Sequence, residues 1–228
     1  RSTLFPYTTL FRSGSACCRI SGEGLEGEFR RAFLDNFMEV SWEDARSDRR
    51  TRLSMSTTGD AYTLYFSLFG ELFWSEELSG AEWTIGPDRF VVLRVREAVE
   101  SMTLTPGCRS MGISLSVPSE QLRRFIGDGP GFGLEAGRGY TGRTFVLTDA
   151  VRRVLGDLQD CPLCGDLRLL YMEAKAMELF SLILEQARSG SLGHDRDRLS
   201  RTERQALERV KALNRSEERR VGKECRSR

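Results

Sequence analysis

The 228-residue chain is 39% hydrophobic and carries 34 basic and 33 acidic residues, for a formal net charge of +1. This content suffices for a sizeable core, and no run approaches the roughly 18 consecutive apolar residues of a membrane-spanning helix. A single histidine, His194, leaves few options for metal ligation or histidine-based catalysis. We therefore expect a globular protein of the cytoplasm that needs no cofactor.

The two ends differ from the rest of the chain. Residues 1–13 and 215–228 lack the periodic patterns beside them and resemble translated sequencing-adapter sequence, which is left out of fold reasoning. Without them, residues 14–214 hold 26 basic and 30 acidic residues, a formal charge of −4. Because DNA affinity depends on neutralising phosphates with Lys and Arg, this acidic body argues against direct DNA binding.

Residues 14–117 are predicted to form a β-rich effector-binding domain. Met38, Val40 and Trp42 alternate with polar residues, which predicts a strand with its apolar side buried and the polar side, including Glu43, in water. Short strands with turn signals between them and no intervening helix favour a jelly-roll, cupin-like barrel or a sandwich. The further strands are predicted at 52–56, 62–69, 71–74, 82–85, 90–95, 101–104 and 111–117.

Residues 118–188 change to a helical period and form the predicted dimerisation part, so the expected fold class is α+β. Ser119 is the expected N-cap of a short helix, and a second, amphipathic helix begins near Thr148 or Asp149. A third helix, from about 166 to 188, is apolar on two adjoining faces, which predicts packing against both the core and a second subunit. The predicted interface residues are Leu170, Ala174, Met177 and Leu184.

A polar, glycine-containing linker is predicted at 189–199. Beyond it, Ser200 and Glu203 have the spacing of a capping box, in which each side chain bonds a free backbone amide of the first helical turn. Residues 200–214 are therefore expected to begin a connection to a further domain.

Aromatic residues in the β-rich half indicate a small-molecule site, because aromatic-lined barrel mouths with a few polar groups are common ligand sites. Most of these aromatics are expected to be ordinary core, with one or two touching the ligand. Arg94 has the chemistry to pair with an anionic effector, and a surface salt bridge explains it equally well. The candidate ligand-binding residues are Trp42, Tyr62, Phe66, Trp74 and Arg94.

Two short motifs carry competing interpretations. Gly137, Gly139 and Gly142 spell G-x-G-x-x-G, but the residues that follow read as extended, so a glycine-rich connector is favoured over a dinucleotide site. Cys161 and Cys164 form a C-x-x-C pair, for which a structural role is favoured and a redox dithiol is the alternative.

The order of a β-rich domain, a long helix, a polar linker and a capped helix resembles AraC/XylS-type transcription regulators, and most closely the pyochelin-responsive type. The stretches that carry the resemblance are 62–74, 161–184 and 199–213. It implies an effector-binding region, an iron–siderophore complex being one candidate effector, that forms a homodimer. It also implies that the intact parent regulates transcription through helix-turn-helix motifs absent after Asn214, so that DNA is bound only through that missing domain.

Two other functions remain open. A cupin-like metalloenzyme would need several inward-facing histidines, and the β-rich half contains none, so we expect no enzyme. A dimerisation module that has lost its ligand is the other alternative.

Overall fold

The computed structural model describes residues 14–22, 24–77, 79–127, 132, 134 and 140–189. The expectations for 1–13, for most of the linker, for 200–214 and for 215–228 lie outside the described residues. In the part described, the fold is α+β, with antiparallel strands followed by helices, as predicted. No helix there is long and apolar enough to cross a membrane.

The described residues contain nine strands and three helices. The strands are β1 (Gly14–Gly22), β2 (Leu25–Phe33), β3 (Glu39–Ser47), β4 (Thr51–Phe69), β5 (Leu72–Glu76), β6 (Glu82–Ile85), β7 (Arg89–Leu104), β8 (Arg109–Pro118) and β9 (Tyr140–Val146). The helices are α1 (Ser119–Ile126), α2 (Asp149–Gln159) and α3 (Gly165–Arg188).

The two longest strands, β4 and β7, pair with each other along both of their halves. Their register shifts between Thr57 and Asp60, where Gly59 has a φ of +105°. Side chains rarely tolerate that backbone angle, so a glycine permits the irregularity without strain. Each strand therefore contributes to two layers of sheet.

The two layers share these strands and differ in their other members. Residues 51–57 and 98–104 form the smaller layer with β5 and β6, in the order β4-β7-β5-β6. Residues 60–69 and 89–96 belong to the larger layer, with β8, β3, β2 and β1 on one side and β9 on the other. The result is a jelly-roll-like β-sandwich, as predicted.

Successive side chains along the strands of the larger layer point to opposite faces and belong to two separate apolar clusters. On β4, Leu64 and Phe66 belong to the cluster that contains the buried faces of α2 and α3, whereas Tyr65 belongs to the other. The second cluster joins residues of both layers, such as Met102 of the smaller and Leu93 of the larger, and is the sandwich interior. Both faces of the larger layer are thus covered, one by helices and one by strands.

The helices follow from their sequence signals with one exception. Thr148 caps α2 by accepting a hydrogen bond from the backbone N–H of Val151, as predicted. The prediction that Ser119 caps α1 was wrong, because Pro118 is the N-cap residue and Ser119 is the first helical residue. The Ser119 hydroxyl instead donates to Asp60 at 2.6 Å, a partner too distant in sequence for local reasoning to find.

Candidate functional site

Part of the sandwich interior is lined by small polar side chains. Ser41 of β3 pairs in register with Ser114 of β8, and Thr63 of β4 pairs with Ser116. All four are half-buried. Because strand neighbours two residues apart point the same way, they face the side on which Tyr65 lies. This part of the interior is polar and reached by solvent.

Glu43, Tyr65 and Gly112 converge at the centre of this polar area. A Cβ atom at Gly112 would lie 3.0 Å from Glu43 Oε1 and 3.1 Å from the Tyr65 hydroxyl oxygen. The absence of a side chain at Gly112 therefore makes room for both polar groups. Both atoms are buried, and neither forms a well-aligned hydrogen bond with a described residue, although the Tyr65 hydroxyl lies close enough to Glu43 to lower the pKa of its carboxyl.

Burial controls the ionisation of these two groups. It raises the pKa of Glu43 to about 7, and the nearby Tyr65 hydroxyl offsets only part of that rise. Burial, together with the negative charges of Glu43 and Glu100, also raises the pKa of Tyr65 well above its ordinary value. Tyr65 therefore stays a neutral phenol, while Glu43 changes its charge near neutral pH.

The smaller layer places an aromatic and a carboxylate opposite this pair. The Trp74 and Tyr65 ring centroids are 5.2 Å apart. Glu100 accepts hydrogen bonds from Trp74 Nε1 at 3.2 Å and from the Thr57 hydroxyl at 2.9 Å. These contacts hold the Trp74 ring in place beside Tyr65.

Trp83 supplies a second tryptophan to the interior. It is the cross-strand partner of Trp74, and its Nε1 is buried without a hydrogen-bond partner in the described part of the chain. A Cβ atom at Gly142 would lie 2.7 Å from Trp83 Cζ2, so this ring packs directly on the β9 backbone. Gly142, first noted within a glycine-rich connector, is therefore a packing residue.

The aromatic residues expected at a ligand site are divided between the two clusters. Trp42, Tyr62 and Phe66 lie in the cluster packed against the helices, and Trp74 lies in the sandwich interior. Trp42 also lines a groove of about 160 Å³ together with Glu43 and Gly112. The Arg30 guanidinium carbon lies over the Trp42 ring, 5.7 Å from its centroid. These residues do not line one common cavity, and their ligand contacts stay a prediction.

Arg94 is engaged by a carboxylate of its own chain. Its Nε and Nη2 donate to the two carboxylate oxygens of Asp60 at 3.1 and 3.0 Å, and Arg96 and Ser119 donate to the same carboxylate. Burial alone would raise the pKa of Asp60, but these hydrogen bonds bring it well below its usual range. Its proposed contact with an anionic effector remains a prediction.

The four predicted interface residues differ in exposure along α3. Leu170 is 65% exposed and Ala174 is also exposed, whereas Met177 is half-buried against the core and Leu184 is buried in it. The stripe that these residues form thus runs from solvent at the start of the helix into the domain core near its end. Their role between subunits stays a prediction.

Sequence reasoning missed Glu43 and Gly112. The alternation of apolar and polar residues in β3 predicted that Glu43 faces water, because Trp42 lies on the apolar side. In the structure the other side of β3, which carries Glu43, faces the sandwich interior. A carboxylate amid the serines and alanine of that side was the available signal. Gly112, in the middle of a predicted strand, was a second signal, since such glycines often mark a close approach.

The thiols and carboxylates of the described residues form no cluster of three or more that could hold a metal ion. Cys161 is half-buried and Cys164 exposed, and both are free thiols just before α3. Their role, structural or redox, stays a prediction.

Together these features define a β-sandwich domain whose largely apolar interior contains a polar area around Glu43 and Tyr65. Helices pack against the other face of the larger layer, and one of them, α3, exposes an apolar stripe. A family model described as the regulatory protein PchR N-terminal domain matches residues 26–199. The chain belongs to this family, and it is the sensor and dimerisation region of an AraC-type transcription regulator. No curated protein sequence matches the chain.

Several solved structures are similar to this chain at low sequence identity. The AraC-like transcriptional activator CuxR is 12% identical, with 88% of this chain and 70% of that chain covered and a TM-score of 0.49. Apo ToxT K231A from Vibrio cholerae is 12% identical, with 78% and 64% covered and a TM-score of 0.45. The Cnp3 cupin domain of Schizosaccharomyces pombe is 8% identical, with 50% and 95% covered and a TM-score of 0.34. All these scores are below 0.5, so the assignment rests on the family match.

Proposed function

We propose that the sandwich interior binds a small-molecule effector and that the domain, as a homodimer, passes this signal to DNA-binding helices of the parent regulator. The observation that carries the proposal is the buried pair of Glu43 Oε1 and the Tyr65 hydroxyl, unpartnered among the described residues beside Gly112. A buried polar group without a partner costs about 1–3 kcal/mol. A ligand that supplies the missing hydrogen bonds recovers this free energy.

We further propose that the domain is non-catalytic and that the protein is cytoplasmic, because its family is that of a transcription regulator. An iron–siderophore complex is the effector that the family resemblance suggests first. The metalloenzyme alternative gains no support from the described residues, which place no metal-binding cluster in the sandwich.

A route from the interior to the helices runs through β9 and α3. Trp83 packs on Gly142 of β9, and the end of the same strand is bonded to α3, since Gln186 Nε2 donates to the Val146 backbone oxygen at 2.8 Å. A ligand that contacts Trp83 therefore acts on a strand tied to the last turns of α3. For this coupling, the ligand must bind one arrangement of β9 and α3 more tightly than the other.

The exposed end of α3 is the proposed subunit interface. Leu167 and Leu170 are 63% and 65% exposed, and with Ala174 and Met177 they follow the alternating three- and four-residue spacing of a coiled-coil seam. Two leucines facing water on one helical stripe are covered most simply by the same stripe of a second copy. Effector binding at the other end of the helix would then change the dimer.

Tryptophan fluorescence tests effector binding, because two of the three tryptophans lie in the sandwich interior. A Trp42→Phe background removes the signal from the helix-side cluster, and candidate effectors, iron-loaded siderophores first, are titrated against it. We expect a saturable change in Trp74 and Trp83 emission that is lost in Gly112→Ala. A broad panel that changes neither emission nor thermal stability would contradict sensing and favour a dimerisation module without a ligand.

A further inference from the structure

We infer that the sandwich interior recognises a ligand carrying a protonated amine, which donates hydrogen bonds to Glu43 Oε1 and to the Tyr65 hydroxyl oxygen beside Gly112. This inference rests on the proposed function, since it names the chemical class of ligand that the same interior binds. Of the candidate ligand-binding residues predicted from the sequence, it uses Trp74 and leaves out Trp42, Tyr62, Phe66 and Arg94.

The oxygen atoms around Gly112 outnumber the hydrogens available to bond them, so a ligand that binds there should be a hydrogen-bond donor. Around the position of a Cβ at Gly112 lie three oxygen atoms, Glu43 Oε1 at 3.0 Å and the Phe66 backbone oxygen and Tyr65 hydroxyl at 3.1 Å each. When Glu43 is ionised, the Tyr65 hydroxyl is the one of these three groups that carries a hydrogen to donate. Because the two side-chain oxygens lack partners among the described residues, a group with several N–H bonds satisfies what the protein leaves open.

The charges on the interior side favour a cation over a neutral donor. Arg31 is the basic residue that strand alternation places on this side of β2, and it lies 3.4 Å from Glu39, which offsets its charge. Glu43, Glu76 and Glu100 are acidic, and the last two are buried cross-strand neighbours. A positive ligand group would therefore enter a net negative environment.

The aromatic walls suit the same group. The Tyr65 and Trp74 rings are in contact, and Trp83 is the cross-strand neighbour of Trp74. Aromatic faces attract ammonium groups most strongly where water is excluded, as it is around these buried rings. A ligand with an amine next to an apolar ring matches both the oxygens and the aromatics.

Three probes of similar shape but different charge test this inference: benzylamine is positive, benzyl alcohol is neutral and benzoate is negative. Each is titrated by calorimetry and fluorescence against the full chain in the Trp42→Phe background. We expect benzylamine to bind at least about tenfold more tightly than the other two, the ratio that one charge-assisted hydrogen bond provides. Glu43→Gln should remove that advantage, so that benzylamine binds this variant no more tightly than benzyl alcohol does.

Glu71→Gln is the matched control, because Glu71 is an exposed glutamate between β4 and β5. It should leave all three affinities as they are, and thermal melts of both variants check that folding is intact. The inference is overturned if benzylamine fails to bind, if benzyl alcohol or benzoate binds as tightly, or if Glu43→Gln keeps the amine preference. Effector sensing survives these results if another compound changes Trp74 and Trp83 emission, and it fails only if none does.

Discussion

Glu43 makes the stability of the domain depend on pH. Burial raises its pKa from 4.5 to about 7, so the folded protein binds this proton more tightly than the unfolded chain. Its contribution to the free energy of unfolding is full below the unfolded pKa and is lost as the pH rises through about 7. Relative to the wild type, Glu43→Gln should gain about 3 kcal/mol between about pH 4.5 and about pH 8, because the shift is about 2.5 pKa units at about 1.4 kcal/mol each.

Urea unfolding at a series of pH values measures this gain. Glu71→Gln, which changes an exposed glutamate, should run parallel to the wild type throughout. If the Glu43→Gln curve is also parallel to the wild type, the carboxyl is not the buried, titrating group described above.

Asp60 stabilises the bend of the two long strands. Its carboxylate accepts hydrogen bonds from Arg94 of β7 and from Ser119 of α1, next to the register shift in β4. Asp60→Asn removes the charge and leaves the largely buried Arg94 guanidinium without an anionic partner. We expect a loss of about 1–3 kcal/mol in the free energy of unfolding.

Chemical denaturation at neutral pH checks this value against Asp88→Asn. Asp88 has an exposed side chain in a turn, 3.7 Å from Arg89, and its substitution should cost little. Equal losses in the two variants would show that the Asp60 contacts add nothing to stability.

The sequence predicted which residue types would be buried at the site better than it predicted the side of the sheet that each side chain faces. Sequence indicated that tyrosines and tryptophans of the β-rich half would be buried, but Tyr62 and Tyr65 differ in which layer they face. The side that each residue faces matters only once it is known what covers that side of the sheet. This is decided by the packing of the smaller layer on the larger one, which local sequence patterns do not reveal. Glu43 was assigned to water for the same reason.

At the scale of elements, helices were predicted more closely than strands. Helix α3 was expected at about 166–188 and spans Gly165–Arg188, because its apolar residues recur over many turns. Strands β1 and β2 went unpredicted, since their residues are mostly exposed or half-buried and give no clean alternation. Expected strands at 52–56 and 62–69 are one strand, because Gly59 marks a shift of register within β4 and not its end.

The start of α3 gives a test of the subunit interface. Leu170→Glu places a charge in the exposed stripe and should weaken the dimer by at least about tenfold, while the monomer fold is unchanged. Sedimentation velocity over a concentration series measures the dimer constant. Phe69→Glu is the matched control, because it also puts a glutamate in place of an exposed apolar side chain, 57% exposed on β4. Equal effects of both changes would place the interface elsewhere.

At the scale of the whole molecule, signal transfer is predicted to depend on the contact between α3 and β9. Gln186→Leu removes the hydrogen bond to the Val146 carbonyl and keeps an apolar side chain of similar size. Effector affinity should change by less than about twofold, whereas the effect of that effector on dimerisation should be lost, because binding and transmission use different contacts. Glu185→Gln, at the exposed neighbouring position, is the control. A Gln186→Leu dimer that still responds fully would exclude this route.

The sharing of β4 and β7 between the two layers limits how the sandwich can move. The covalent chain continues from one layer into the other through both strands, so the layers cannot part as two independent plates. We expect a ligand that enters between them to widen the angle between the layers at the register shift beside Gly59, where the strands are least regular. We therefore expect the two layers to hinge near Asp60, with the hydrogen bonds of Arg94 and Arg96 to its carboxylate limiting how far they separate.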